Sequence, residues 1–127
     1  MGQGPLIAVI DDDASARSAA RSLIGSLGFG VATFASVEAF LASEALETVA
    51  CLVVEMRMTH MTGDTLPVRL SAAGRAVPTI VTTRIPQAAS RRWRREAGII
   101  ACLDKPLEPE SMLRALRAAL TTDTAAP

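Results

Sequence analysis

The feature that most constrains this chain is a regular alternation of short apolar runs with stretches of helical periodicity. Five runs of strand length recur, and apolar residues repeat at helical spacing between and after them. This order predicts repeated βα units around one parallel sheet, because parallel strands need a crossover that is usually a helix. The predicted strands span Leu6–Ile10, Val31–Phe34, Cys51–Val54, Thr79–Thr82 and Ile99–Leu103.

The helices are predicted from this periodicity together with start and stop signals. Gly28 ends the first helix, Ser36 caps the second, and the third tolerates Pro67 only if that residue falls in its first turn. A fourth helix is predicted over Pro86–Gly98, and a fifth begins at Pro109. Helices on both faces would bury the sheet.

Length and charge narrow the class of protein. The 127 residues suit one domain, which we expect over residues 1–120, with a tail or linker at residues 121–127. Thirteen basic and 13 acidic residues give formal neutrality, so the chain as a whole has no electrostatic reason to seek nucleic acid or a membrane. No apolar stretch approaches the roughly 18 residues of a spanning helix, and the start lacks a secretory signal. We expect a cytoplasmic protein.

The two cysteines, Cys51 and Cys102, lie in apolar runs without the C-x-x-C spacing of a metal or redox motif. Small buried core residues are the simplest interpretation of both. We therefore expect free thiols.

Polar side chains follow four of the predicted strands at the point where each strand ends. Asp11 and Asp12 follow the first strand, Glu55 the third, Thr83 the fourth and Lys105 the fifth. Ligands of open parallel sheets bind at this carboxyl edge. Three carboxylates suit Mg²⁺, and a hydroxyl with an ammonium would complete a phosphoryl-binding pocket.

Lys105 is the only lysine, against twelve arginines, which suggests that this position requires an ammonium. A solvated surface lysine before a turn proline is the alternative. For Asp11 to Asp13 the alternative is an N-cap cluster on the first helix, which we accept for Asp13 and doubt for Asp11.

Three segments carry a resemblance to the receiver domains of two-component response regulators. Val9–Asp13 is similar to the acidic pair of that family, Met58–Gly63 to its loop after the acceptor, and Asp104–Pro106 to its lysine-proline turn. The resemblance extends from Leu6 to Leu120. It is greatest to regulators of the nitrogen-fixation type, whose effector is often a helix-turn-helix DNA-binding domain, and this sequence contains no such domain.

The resemblance implies a flavodoxin-like, three-layer, doubly wound fold with five parallel strands in the order 2-1-3-4-5 and five helices. It also implies a partner histidine kinase that donates phosphoryl to an acidic side chain on Mg²⁺. Asp11, Asp12 and Glu55 would hold the metal, with Glu55 at the acceptor position. Thr83 and Lys105 would contact the phosphoryl group.

Four positions depart from the family pattern. Glu55 replaces the acceptor aspartate, Arg84 replaces a small residue, Cys102 replaces the switch aromatic and Thr59 replaces the loop proline. Glutamate carries its carboxylate one methylene further out, and misplacing a reacting group by about 1 Å costs on the order of a hundredfold in rate. Arg84 could bind a carboxylate bidentately and block the pocket. A working receiver with tolerated substitutions is the alternative.

Trp93 lies among arginines on the predicted fourth helix. We expect this helix, the fifth strand and the fifth helix to form a homodimer face, where arginines would meet Asp104, Glu108 or Glu110 of a second copy. A solvated basic helix with a core tryptophan is the alternative.

Three functions from different classes stay open. The chain is a phosphorylation-independent interaction module, a phospho-accepting switch, or an Mg²⁺-dependent phosphohydrolase or flavin-binding protein. The last needs a further base or nucleophile, or a phosphate loop with stacking aromatics, and the sequence shows neither at these strand ends. We expect a non-enzymatic signalling domain.

Overall fold

In the computed structural model of the chain, the described residues are 4–58, 62–84 and 98–122. The strands are β1 (Leu6–Ile10), β2 (Gly30–Phe34), β3 (Cys51–Glu55), β4 (Thr79–Thr83) and β5 (Ile99–Asp104). The helices within those residues are α1 (Ala14–Ser26), α2 (Val37–Leu41), α3 (Ala45–Thr48), α4 (Thr65–Ala72) and α5 (Pro109–Thr122). The predicted helix over Pro86–Gly98 falls almost wholly outside the described residues.

The five strands form one parallel sheet in the order β2-β1-β3-β4-β5, which confirms the predicted topology. β3 is central, and all five of its residues are buried. A continuous apolar strand such as Cys51–Val54 is expected where helices cover both faces of a parallel sheet. Its last residue, Glu55, therefore lies at the carboxyl edge in register with Thr82 of β4.

Two hydrophobic clusters cover the two faces of the sheet. Alternate strand residues such as Val9 and Val53 face α1 and α5, whereas Ile10 and Val54 face α2 and α4. This alternation follows from the two-residue period of strand side chains. The result is the three-layer architecture that the resemblance implies.

Local signals explain most of the helix boundaries. The side chain of Asp13 accepts from the backbone N–H of Ser15 at 3.0 Å, and Ser36 caps α2 through the N–H of Ala39. Pro67 is the third residue of α4, so it falls in the first turn as predicted. The sequence does not predict α3, a single turn without a side-chain cap.

Neither Cys51 nor Cys102 forms a disulfide, as predicted. Cys51 is in β3 and Cys102 in β5, with β4 between them. Burial raises the pKa of the Cys51 thiol to about 12, so this thiol stays protonated and unreactive near neutral pH. Among the described helices, none has both the length and the apolar character needed to cross a membrane.

Candidate functional site

The polar residues predicted to converge do meet at the carboxyl edge of the sheet. They line one cavity of about 340 Å³. Its lining residues are Asp11, Asp12, Asp13, Glu55, Arg57, Thr83, Arg84 and Lys105. The parallel topology produces this meeting, because each strand delivers its last residue to the same edge.

Lys105 lies between two carboxylates at the centre of this cavity. Its Nζ is 2.8 Å from Oδ2 of Asp11 and 2.5 Å from Oε1 of Glu55. The three side chains are only 14%, 6% and 9% exposed, respectively. The contact with Oε1 is an ion pair without a well-aligned hydrogen bond, since no described donor has suitable geometry for that atom. Lys105 is therefore an internal cation, and its interpretation as a solvated surface lysine is wrong.

The charge state of Lys105 follows from two opposing effects. Burial lowers its pKa, but the close contacts with the carboxylates of Asp11 and Glu55 outweigh burial and raise that pKa above its ordinary value. The ammonium form is thus the one the site selects. The backbone N–H of Lys105 also donates to the carbonyl of Thr83 at 2.8 Å, which aligns the end of β5 with β4.

Backbone groups hold the other oxygen of each carboxylate. Oδ1 of Asp11 accepts from the N–H of Asp13 at 2.9 Å, and Oε2 of Glu55 accepts from the N–H of Arg57 at 3.0 Å. Every oxygen of the two carboxylates therefore has a close cationic or N–H neighbour. Neither backbone contact is predictable from residue types.

Two arginines donate hydrogen bonds to residues of the loop between β1 and α1. Arg17 donates from Nη1 to the backbone carbonyl of Asp11 at 2.8 Å. Arg84 donates from Nη2 to Oδ2 of Asp13 at 3.0 Å, through side chains that are 66% and 42% exposed. Arg84 thus reaches a carboxylate at the cavity rim, through one nitrogen and one oxygen. The sequence suggested neither Asp13 as its partner nor any role for Arg17.

Gly63 supports the backbone at the end of β3. Its N–H donates to the carbonyl of Met56 at 2.7 Å, and Arg57 forms an antiparallel bridge with Thr62. A Cβ at Gly63 would overlap the carbonyl oxygen of Glu55. The sequence identified this glycine only as part of a loop motif, and its contact with the backbone of Glu55 comes from the fold.

The described residues do not fit a divalent metal in the arrangement they adopt. The ammonium of Lys105 occupies the space between the carboxylates of Asp11 and Glu55, while Asp12 is exposed at the same cavity. Across residues 4–58, 62–84 and 98–122, no three His, Cys, Asp or Glu side chains group as metal ligands would. The predicted set of Asp11, Asp12 and Glu55 stays a prediction.

Cys102 lies apart from this site, half-buried in β5 and beside a second cavity of about 420 Å³. Asp104 and Glu108 line that cavity as well. Thr59 and Trp93 fall outside the described residues, so the predictions made for them stay untested.

Comparisons with known proteins agree with this architecture. The family model described as the response regulator receiver domain matches residues 7–117. The response regulator protein TmoT of Ectopseudomonas mendocina is 33% identical over 121 residues, which are 93% of this chain and 54% of that protein. The transcriptional regulatory protein FixJ of Bradyrhizobium diazoefficiens is 31% identical over 117 residues, which are 90% of this chain and 56% of that protein.

A solved structure of the response regulator StyR superposes with a TM-score of 0.84 at 34% identity, and the match covers 96% of this chain and 62% of that one. The chain spans about half the length of the curated relatives named above. Receiver domains are signalling modules and generally bind Mg²⁺ at the acceptor site. Because its sheet order, its convergent edge and these matches agree, the chain belongs to the receiver-domain family of two-component response regulators.

Proposed function

We propose that this receiver domain is degenerate and acts as a phosphorylation-independent protein-interaction module. The observation that carries the proposal is the state of Glu55 at the acceptor position. Its carboxylate is buried, one oxygen pairs with Lys105 and the other accepts from the N–H of Arg57. The group that would attack a phosphodonor is therefore already engaged within the domain.

The length of glutamate supports the same conclusion. Phosphotransfer requires the attacking oxygen, the phosphorus and the leaving group in line, and an error of about 1 Å costs on the order of a hundredfold in rate. One added methylene moves the carboxylate by about that distance. The contact of the Glu55 carboxylate with Lys105 supports this interpretation.

The pair formed by Arg84 and Asp13 is a weaker obstacle. It spans the rim of the cavity, but both side chains are exposed. Exposed pairs contribute only about 0 to 1 kcal/mol, so thermal motion opens them readily. We therefore assign the larger share of the block to Glu55 and the smaller share to Arg84.

A permanent charge at Glu55 could also imitate phosphorylation. A phosphoryl group adds roughly −1.5 to −2 of charge, whereas Glu55 adds one negative charge that Lys105 offsets within the site. Any imitation is thus weak. The proposed module works through its surface, without a change in charge at the acceptor.

Intact-mass measurement after incubation with acetyl phosphate and Mg²⁺ tests the proposal. We expect the unmodified mass, and a stoichiometric phosphoryl adduct would overturn the proposal. Glu55→Asp should recover labelling if the length of the side chain is the main block, and adding Arg84→Ala should increase it further. Glu55→Gln serves as the unlabelled control. If neither aspartate variant labels, the assignment of this pocket is wrong.

The second candidate is a phospho-accepting switch that takes phosphoryl from a histidine kinase. Buried Thr83 and Asp11, with partly buried Lys105 at the same edge, favour it, because they are the groups such chemistry needs. Mg²⁺ would then bind through Asp11, Asp12 and Glu55. The phosphoryl adduct described above would support this candidate.

A phosphohydrolase or flavin protein gains no support, since the described cavity offers no further nucleophile or stacking aromatic.

We propose a histidine kinase or another signalling protein as the partner. Because FixJ is a transcriptional regulator, a DNA-binding effector domain is the proposed output of a longer protein, with residues 1–120 as the receiver and 121–127 as the linker.

A homodimer through Pro86–Gly98, β5 and α5 stays a prediction. Sedimentation velocity at low and high salt, with Arg91→Glu and Arg95→Glu, tests it. The cytoplasmic location also stays a prediction.

A further inference from the structure

The ammonium of Lys105 occupies the space between Asp11 and Glu55, two of the three predicted metal ligands. We propose that this ammonium is a built-in cation that replaces the metal, so that the site is assembled without Mg²⁺ and excludes it. The inference rests on the proposed degenerate function and adds the reason why the first requirement of phosphotransfer is missing. Three features of the site support it.

The first feature is the use of the carboxylate oxygens. Oδ2 of Asp11 and Oε1 of Glu55 both face Nζ of Lys105, and the remaining oxygens accept from backbone N–H groups. Carboxylate oxygens have spare lone pairs. The space between the two groups, however, is taken by the ammonium, so a metal held between these two carboxylates requires Lys105 to move.

The second feature is the length of Glu55. An aspartate would withdraw its carboxylate by about 1.5 Å, the length of one carbon–carbon bond. A contact of 2.5 Å between Nζ and Oε1 would then be lost unless the lysine followed. Glutamate at the acceptor position therefore brings its carboxylate to Lys105 without any movement of the lysine.

The third feature is charge. Asp11, Glu55 and Lys105 leave one net negative charge in a site that is screened little by solvent, because all three side chains are mostly buried. A divalent ion beside a retained ammonium would meet cation–cation repulsion, and Mg²⁺ gives up its water reluctantly. Arg17 adds a positive charge at the adjoining loop, the charge of Arg84 is offset by Asp13, and Asp12 adds one negative charge at the same cavity.

The test measures metal binding, without phosphotransfer. Mn²⁺ serves as the probe, titrated into the whole chain by calorimetry and followed by electron paramagnetic resonance. The decisive variant is Lys105→Gln, which removes the ammonium. Arg57→Gln is the matched control, because it removes one positive charge from the same cavity and keeps the backbone N–H that binds Glu55. Circular dichroism confirms that each variant is folded.

We expect no saturable Mn²⁺ binding by the unaltered chain in the millimolar range. Lys105→Gln should bind saturably, at least about tenfold more tightly than the millimolar limit, whereas Arg57→Gln, like the unaltered chain, should show no saturable binding in that range. Mg²⁺ should raise the melting temperature of Lys105→Gln only, since a ligand stabilises the state that binds it. If Lys105→Gln does not fold, Glu55→Asp replaces it, with the same expected gain.

Tight Mn²⁺ binding by the unaltered chain would overturn the inference, as would equal gains in Lys105→Gln and Arg57→Gln, because charge rather than position would then be responsible. These failures are distinguishable from failure of the proposed function. A chain that binds Mn²⁺ but forms no phosphoryl adduct contradicts only the built-in cation. A chain that forms the adduct contradicts the proposed function, whatever its affinity for metal.

Discussion

Two cationic side chains link distant parts of the chain at opposite ends of the sheet, and their partners differ. At the amino end, Arg75 donates to the carbonyls of Leu46 and Val49 at 2.9 to 3.2 Å. At the carboxyl end, Lys105 pairs with the carboxylates of Asp11 and Glu55. Arg75 binds neutral dipoles, whereas Lys105 balances charges that would otherwise repel each other.

The difference separates a structural contact from a functional one. The guanidinium of Arg75 joins the end of α3 to the segment between α4 and β4, and its removal leaves only carbonyls that water can satisfy. Removal of Lys105 leaves two buried carboxylates side by side, which is costly unless a proton or a metal arrives. Only the carboxyl end therefore retains chemistry that a cation can modulate.

The largest expected effect is that of Lys105→Met. We expect the free energy of unfolding to fall by about 3 kcal/mol, because removing the ammonium leaves the buried carboxylates of Asp11 and Glu55 without a cation. Urea denaturation measures the loss. The double variant Lys105→Met with Glu55→Gln should recover part of it, since one buried carboxylate instead of two then stays without a cation. Equal stability of Lys105→Met and the unaltered chain would refute the coupling.

Gly63→Ala should have an intermediate effect at the same end of the sheet. Its Cβ would overlap the carbonyl of Glu55 and lie 2.7 Å from Cγ1 of Val54, so we expect a loss of about 2 kcal/mol from overpacking. Gly25→Ala is the matched control, since a Cβ there meets nothing within 4 Å in α1. Helix propensity should make that change stabilising by roughly 0.5 kcal/mol. Thermal unfolding of both variants measures the two changes in stability. Equal losses of stability would show that the contact at Gly63 is unimportant.

Arg75→Met should have the smallest effect of the three. We expect a loss of about 1.5 kcal/mol, the contribution of hydrogen bonds from a charged donor to neutral acceptors. Added salt should change this loss little, because no ion pair is removed. Mn²⁺ binding should equal that of the unaltered chain. A change in metal binding would show that the two ends of the sheet are coupled, and the comparison would then fail.

The elements that the sequence predicts well are those with strong local signals. The apolar run at Cys51–Val54 and the caps Asp13 and Ser36 each specify their element without help from distant residues. α3 was missed because one turn, preceded by Glu44 without a side-chain cap, has almost no local signature. Its C-terminal carbonyls instead find Arg75, which lies 26 to 29 residues away along the chain.

The candidate site also has features that the sequence predicts and features that it does not. Asp11, Glu55, Thr83 and Lys105 could be placed at one edge from sequence, because every parallel strand ends there. The sequence could not predict which of these side chains contact each other. The partner of Arg84 proved to be Asp13, and Arg17 reached the carbonyl of Asp11, since side chains with many rotatable bonds choose partners only once the backbone is folded.

The sequence by itself therefore determined the order of strands and helices, the class of the sheet and the chemical types present at its carboxyl edge, since all of these follow from local periodicity and parallel topology. Only the tertiary structure decided that Lys105 lies between Asp11 and Glu55, 94 and 50 residues away along the chain. A contact within about 3 Å depends on the register of β1, β3 and β5 and on one methylene of Glu55. Neither the strand register nor the effect of that methylene on the contact can be inferred from composition.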